Sequence, residues 1–200
     1  MALMPPSRPY HHGDLRAALL TSAERTLREK GTAALSLREL ARDVGVSHAA
    51  PGRHFKDKQA LLDALALNGF ERLNQALDSA DVPDAPLEAR VTALARAYVT
   101  FTVDNPELLE VMYSRKHDPD VDAELATAAE HSMGCFVQLV ADAQRRGEIV
   151  RGDPEAVTLA AAACIHGLAV LATNGTLPPD AALAGLDQHV HLLLYGLKPR

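Results

Sequence analysis

The stretch SLRELARDVGVSHAAPGRHFKDKQALLDAL, residues 36–65, decides the fold. It opens at Ser36 with an S-x-x-E capping box, a pattern typical of helix N-termini. Gly45 predicts the end of this helix, because glycine adopts positive φ without steric cost. Ser47 is another residue type favoured at N-caps, and it predicts a second short helix that closes near Phe55. The stretch therefore predicts two short helices joined by a tight glycine turn.

This spacing is typical of the helix-turn-helix, in which the second helix enters the major groove of DNA. An ordinary hairpin of two helices has the same local pattern. The spacing alone therefore leaves both structures open.

The distribution of charge bears on that choice. The chain has a formal net charge of −6, which by itself speaks against a nucleic-acid partner. Residues 1–70, however, carry ten Lys and Arg against seven Asp and Glu, whereas residues 71–200 carry ten against nineteen. A basic first third indicates that this part of the chain meets phosphate. The alternative is a chance asymmetry of composition.

The remainder of the chain also reads as helical. Ala and Leu dominate, aromatic residues make up only 4%, and no strand-like alternation of any length is found. A linker is expected at residues 78–86, where prolines and aspartates cluster. The predicted helices span about residues 14–30, 36–44, 47–55, 57–77, 87–103, 106–113, 120–146, 154–172 and 180–197. The predicted fold class is all-α.

Composition favours a cytoplasmic protein. No apolar run reaches the roughly 18 to 20 residues of a membrane span, and no signal-peptide pattern is found at the N-terminus. Cys135 and Cys164 lie far apart within helical patterns and are expected to be reduced thiols. No membrane partner is predicted.

Residues 36–65 resemble the signature of the TetR family of transcriptional repressors along their whole length. The elements of the resemblance are the A-x-x-V-G-V-S turn, the H-F pair at the end of the second helix and the K-x-x-L-L sequence that opens the next one. The preceding YHHGDLRAALLTSAERTLREKG, residues 10–31, is similar to the first helix and basic arm of that family. The resemblance covers about residues 8–70.

The resemblance implies a fold and a function. Residues 1–56 would form a three-helix helix-turn-helix DNA-binding domain with a basic N-terminal arm, although a disordered tail is an equal alternative for the arm. Residues 57–200 would form a helical ligand-binding and dimerisation domain. The protein would then be a repressor that a small organic ligand releases from a double-stranded DNA operator. Such regulation needs only thermodynamic linkage between two sites, without catalysis or a cofactor.

The same resemblance assigns the DNA contacts. The start of the third helix is expected to reach base edges through Ser47, His48, Ala49 and Ala50. Arg38, His54 and Lys58 are expected to bind phosphates, which position the protein without reading sequence. Arg53 is long enough either to bind phosphate or to read guanine, and both roles stay open. Two departures from the family pattern, Pro51 and Gly52, predict a short and distorted third helix.

A homodimer is expected through the last two predicted helices, 154–172 and 180–197. The first of them is apolar nearly all round and must be covered on all sides. Its small residues allow another helix to approach closely, and they are Ala160, Ala163, Gly167 and Ala169. The resemblance implies a four-helix interface that buries more than about 1,200 Å² in total.

A ligand cavity of more than about 300 Å³ is expected between four predicted helices, 87–103, 106–113, 120–146 and 154–172. The candidate lining residues are the larger or softer side chains in a region otherwise filled by Ala and Leu. They are Tyr98, Phe101, Met112, Tyr113, His131, Cys135, Phe136 and His166. The alternative is that these side chains simply close the core.

Other kinds of site are not predicted. The segment from His117 to Asp122 lacks metal-ligand spacing and is expected to be a solvated loop. His189 and His191 lie two residues apart on one helix and face different directions, so no metal site is predicted there. No nucleophile elbow, phosphate loop or zinc motif is present, so no enzyme is predicted. A helical dimer that never binds DNA is the remaining alternative. Salt-dependent heparin binding would distinguish a DNA-binding protein from such a dimer.

Overall fold

The computed structural model describes residues 15–118 and 120–196, so the predicted basic arm lies outside the described residues. All regular elements within these ranges are helical, which confirms the all-α prediction. The helices are α1 (Leu15–Lys30), α2 (Leu37–Val44), α3 (Lys58–Ala80), α4 (Leu87–Asp104), α5 (Pro106–Lys116), α6 (Ala123–Arg146), α7 (Pro154–Thr173), α8 (Pro179–Ala184) and α9 (Leu186–Tyr195). Short 3₁₀ turns occur at Thr32–Ala34 and Pro51–Arg53.

The chain divides into two compact units. The first ends at Leu65 and the second begins at Ala66, so the division falls within α3. The sequence predicted a boundary between residues 56 and 57, just before the same helix begins.

The first unit forms around an apolar stripe on α1 that packs against α2. Leu19, Leu27 and Leu40 are almost fully buried in this core. Gly45 ends α2 as predicted, with a φ of 78° in the left-handed region. Its N–H and that of Val46 donate to carbonyls of the last turn, which is the Schellman pattern of helix termination. The predicted capping box is not formed, since the Ser36 side chain makes no capping hydrogen bond.

The second unit has α4 at its centre, packed against α7 and α9, while α6 packs on α7. Asp122 and Asp153 cap α6 and α7 through hydrogen bonds to backbone N–H groups two residues on, at 2.9 and 3.0 Å. The predicted last helix is instead two helices, α8 and α9, interrupted at Gly185. Glycine has the poorest helix propensity after proline, which accounts for the position of the break.

A partly buried ion pair ties the start of α4 to the end of α3. The Arg90 guanidinium is 8% exposed and donates two hydrogen bonds of 2.8 Å to the carboxylate of Asp81. These hydrogen bonds lower the pKa of Asp81 from its usual value. The pair therefore stabilises the fold above the ordinary carboxyl range, and its contribution is lost as pH falls through the lowered pKa.

The substitution Asp81→Asn is expected to lower the free energy of unfolding by about 2–3 kcal/mol at neutral pH, because it leaves Arg90 buried without its anion. Urea denaturation monitored by circular dichroism measures the difference. The variant and the wild type should converge in stability below the carboxyl pKa range. An unchanged midpoint at pH 7 would contradict this role of the pair.

Candidate DNA-binding surface and ligand cavity

The segment predicted as the third helix, residues 47–55, is not an α-helix. The Ala50 N–H donates to the Ser47 carbonyl at 3.0 Å, and a 3₁₀ turn follows at Pro51–Arg53. Pro51 has no N–H to donate to the carbonyl four residues back, so the α-helical pattern cannot pass through it. The prediction of a continuous third helix was therefore wrong, although a distortion at Pro51 was expected. Residues 47–54 are called the recognition segment below.

Two side chains anchor the recognition segment to the core of the first unit. Pro51 is buried, and Phe55, immediately after the segment, is only 2% exposed. The Arg16 guanidinium of α1 lies 5.9 Å from the centre of the Phe55 ring, a distance suited to a cation–π interaction. The segment is thus fixed in its middle and at its end while its other side chains stay accessible.

The predicted DNA contacts are nearly all accessible. Ala50 is half-buried, and the other seven are exposed: Arg38, Ser47, His48, Ala49, Arg53, His54 and Lys58. Sequence reasoning missed Lys56, another exposed cation, which directly follows the buried Phe55. Its signal was its place between the recognition segment and α3.

Lys58 also has a structural role. Its Nζ donates a 2.7 Å hydrogen bond to the carbonyl of Thr32 and so links the start of α3 to the turn between α1 and α2. The first turn of α3 is less open to an anion than the sequence suggested, because the Asp57 carboxylate accepts from the Ala60 N–H at 2.8 Å. Two N–H bonds of the Lys58 ammonium are left for another acceptor.

The second unit contains a mostly apolar cavity of about 130 Å³. Helices α3 to α7 and α9 contribute to its walls. Four predicted residues line it: Tyr98, Tyr113, Phe136 and His166. Met133 lines it as well and is 38% exposed, so the cavity reaches the surface there. The volume is less than half of the 300 Å³ predicted.

The other four predicted residues do not line the cavity. Met112 is fully buried against α3, where a Cβ on Gly69 would lie 2.6 Å from its sulfur. The Phe101 ring packs under the Arg72 guanidinium, 5.8 Å from the ring centre.

His131 is exposed, and its Nε2 lies 3.5 Å from a carboxylate oxygen of Asp78. The Cys135 thiol donates to the Ser132 carbonyl at 3.3 Å, and burial raises its pKa to about 11. A raised pKa keeps this thiol protonated and unreactive at neutral pH. Neither of these two side chains is among the residues that line the cavity.

A polar network lies at one end of the cavity. The Tyr98 hydroxyl is 2.6 Å from Nδ1 of His166 and 3.1 Å from the Tyr113 hydroxyl. Tyr113 also stacks on the His166 ring with 5.1 Å between centroids. Lys116, which lies beyond the predicted end of its helix at residue 113, lines the cavity with its Nζ 4.1 Å from the Tyr113 ring centre.

Burial sets the charge states of this network. It raises the pKa of Tyr98 and lowers that of Lys116. Burial, together with the positive charge of Lys116, lowers the pKa of His166. At neutral pH both the phenol and the imidazole are therefore neutral, and Lys116 carries the positive charge.

A second apolar surface lies on α7. Its exposed positions recur three or four residues apart and are Ala156, Leu159, Ala160, Ala163, Cys164, Val170 and Leu171. Among the described helices, α7 alone is long and apolar enough to span a membrane, whereas no stretch of that length was predicted from the sequence. Ala169, predicted to lie on this surface, is instead buried in the core of its own unit.

The predicted loop near His117 is tied by short-range contacts. The Asp118 carboxylate accepts from Arg115 at 2.6 Å and from the Asp120 N–H at 2.9 Å. On α9, His189 bonds the Gly185 carbonyl and His191 contacts Glu88. Within residues 15–118 and 120–196, no group of three or more potential ligands is arranged to hold a metal ion.

Two family models match this chain, one in each of its two units. The family model for the N-terminal domain of bacterial regulatory proteins of the tetR family matches residues 19–65. A model described as the C-terminal domain of tetracyclin repressor-like proteins matches residues 91–193, just over half of the chain.

Individual proteins are also similar to this chain. A solved structure of a protein of unknown function from Rhodococcus sp. RHA1 is 47% identical, covers 92% of this chain and 98% of its own, and superposes with a TM-score of 0.81. An HTH-type transcriptional regulator of Mycobacterium tuberculosis is 28% identical over 68% of this chain. An HTH-type transcriptional repressor of the same organism is 31% identical over 60% of this chain and 70% of its own.

The match to the first of these mycobacterial regulators spans 59% of that protein's length. Two family models nevertheless cover both units of the chain, and the first contains the whole recognition segment. The chain therefore belongs to the TetR family of bacterial transcriptional regulators.

Proposed function

We propose that this protein is a dimeric, one-component repressor that binds a double-stranded DNA operator and leaves it when a small organic ligand occupies the second unit. It acts in the cytoplasm and is not an enzyme. The observation that carries the proposal is the recognition segment, exposed along residues 52–54 and anchored by the buried Pro51 and Phe55. A relative described as a repressor supports repression rather than activation.

The recognition segment offers the chemistry that DNA binding needs. Arg53 and His54 are exposed cation or hydrogen-bond donors within it, and Arg38 is exposed on α2. Donors of this kind bind phosphates, and an arginine can also read the O6 and N7 atoms of guanine. The anchoring of the segment reduces the entropy lost when these side chains are ordered on DNA.

The exposed apolar face of α7 supports the dimer. Leu159 and Leu171 are 66% and 43% exposed in the single chain, and small residues between them allow close helix approach. Insertion into a membrane is the other way to cover such a face. The opposite side of α7, however, supplies Leu168 and Ala172 to the core of the unit, so α7 cannot leave the domain without unfolding it. A second copy of the chain is therefore the proposed cover.

Arg53→Ala and Arg38→Ala are expected to weaken DNA binding in different ways. Loss of Arg38 should weaken binding to random and preferred DNA alike. It should also reduce the slope of log affinity against log salt concentration by about one for each DNA-binding domain of the dimer. Loss of a base-reading Arg53 should cost about 1–3 kcal/mol at a single base position. Fluorescence anisotropy with a sequence enriched from a random DNA pool, repeated at several salt concentrations, measures both.

Equal weakening of all sequences by Arg53→Ala would make Arg53 a second phosphate contact. Specificity would then rest on Ser47, His48 and the methyl groups of Ala49 and Ala50. If neither arginine affects binding to any DNA, the proposed DNA-binding function is wrong.

A further inference from the structure

The polar end of the cavity in the second unit has one hydrogen-bond donor that its own network does not use. Tyr98, Tyr113 and His166 carry three protons between them when neutral, but they share only two hydrogen bonds. If the two tyrosine hydroxyls donate towards His166, the His166 Nε2–H is left over. If the hydrogen bonds run the other way, the Tyr113 hydroxyl proton is left over. No residue of the described ranges accepts from this donor, so it is available to an acceptor group of a ligand.

Lys116 strengthens the case for an anion at this end. Its side chain is half-buried and lines the cavity. Burial lowers its pKa, because the charged ammonium is destabilised there. In the described part of the chain no carboxylate pairs with it. A buried charge without a partner is unfavourable, and an anionic ligand group would relieve that cost.

The opposite end of the cavity holds an independent sign of a ligand. Thr158 lines the cavity and is 2% exposed, and its hydroxyl is the only buried side-chain oxygen or nitrogen of the described residues without a hydrogen-bond partner. Thr158 lies two turns before His166 on α7, so the two ends are about 12 Å apart along the helix axis. Between them the wall is formed by Ala161, Ala162 and Ile165.

We propose that the ligand is a slender amphiphile with a carboxylate at one end and a hydrogen-bonding group near the other. The carboxylate binds Lys116 and the unused donor of the tyrosine–histidine network. The hydrocarbon body lies along α7, and the distal polar group binds the Thr158 hydroxyl. This inference rests on the proposed function only in taking the cavity as the ligand site.

The test uses the full-length protein without DNA and three probes that share a ten-carbon chain: decanoate, decanol and ω-hydroxydecanoate. Isothermal titration calorimetry should show decanoate binding at least about tenfold more tightly than decanol, because only the carboxylate pairs with Lys116. Lys116→Met should remove this preference, while Lys116→Arg should retain it. Methionine suits the half-buried site, so far-UV circular dichroism should be unchanged.

Thr158 has its own matched comparison. The wild type should bind ω-hydroxydecanoate more tightly than decanoate, and Thr158→Val should abolish that difference. Equal affinity for decanoate and decanol, no heat from either carboxylate, or full carboxylate affinity in Lys116→Met would overturn the proposal. Absence of the hydroxyl effect would overturn the assignment of the Thr158 end.

Failure of this ligand assignment and failure of the proposed function give different experimental results. Carboxylate binding that depends on Lys116 but leaves DNA binding unchanged would support the ligand assignment and refute release from the operator. Release of DNA by decanol as readily as by decanoate would do the reverse.

Discussion

The substitution Ala163→Glu is expected to convert the protein into a monomer and to abolish tight operator binding. Ala163 is exposed in the middle of the apolar face of α7, between Ala160 and Gly167. A carboxylate there would be buried against the partner chain without a counter-ion, which costs more than the close helix contact contributes. Two linked heads bind an operator by avidity, so a monomer should bind about 100-fold or more weakly.

Light scattering at micromolar concentration and anisotropy on the enriched DNA measure the two effects. Ala123→Glu is the matched control, because Ala123 is exposed in the first turn of α6, where a carboxylate is favourable. The control should remain dimeric. A dimeric mass for Ala163→Glu would show that α7 is not the interface.

The second large effect is expected from Phe55→Ala. The Phe55 ring is 2% exposed and anchors the end of the recognition segment in the core of the first unit. Truncation of a buried phenylalanine to alanine costs about 3–5 kcal/mol. A loss of that size is a large fraction of the stability of a small unit, so this end of the chain should be mostly unfolded and DNA binding lost.

His54→Ala is the control, since the neighbouring His54 is exposed. It should change the free energy of unfolding by less than about 0.5 kcal/mol while weakening all DNA sequences alike. Limited proteolysis of the first unit and urea denaturation separate the two variants. Wild-type protease resistance in Phe55→Ala would contradict the anchoring role.

The positions of the helices could be predicted from local sequence because each helix end is set by residues within a few positions of it. The C-terminal end of α2 and the starts of α6 and α7 depend on Gly45, Asp122 and Asp153, whose capping roles act within a few residues. The third helix failed at Pro51 for an equally local reason. Pro51 has no N–H for an α-helical hydrogen bond, and a 3₁₀ turn stands at Pro51–Arg53 in place of the helix.

Cavity residues were harder to predict because they depend on how each helix is rotated against its neighbours. Met112 and Tyr113 are adjacent on α5, yet only Tyr113 lines the cavity. Cys135 and Phe136 on α6 differ in the same way. Consecutive helical residues point about 100° apart. Composition therefore identified the correct helices but could not choose the inward-facing member of each pair.

Lys116 was missed because α5 was predicted to end at Tyr113. The helix continues for three more residues, which puts Lys116 on the same face as Tyr113. The i, i+3 spacing of an aromatic and a lysine was the available signal. Thr158 carried no such signal, since its unpartnered hydroxyl becomes visible only when the surrounding side chains are placed.

Hydroxyl-radical footprinting of the dimer on DNA enriched from a random pool tests the central claim most directly. The account predicts selection of a sequence with two half-sites related by a dyad. It predicts two protected regions whose centres are about 10 base pairs, or a multiple of that, apart. Arg53→Ala should lose the enrichment at one position of each half-site. Failure of the wild-type protein to enrich any sequence, or protection of a single continuous region without a dyad, would contradict the account.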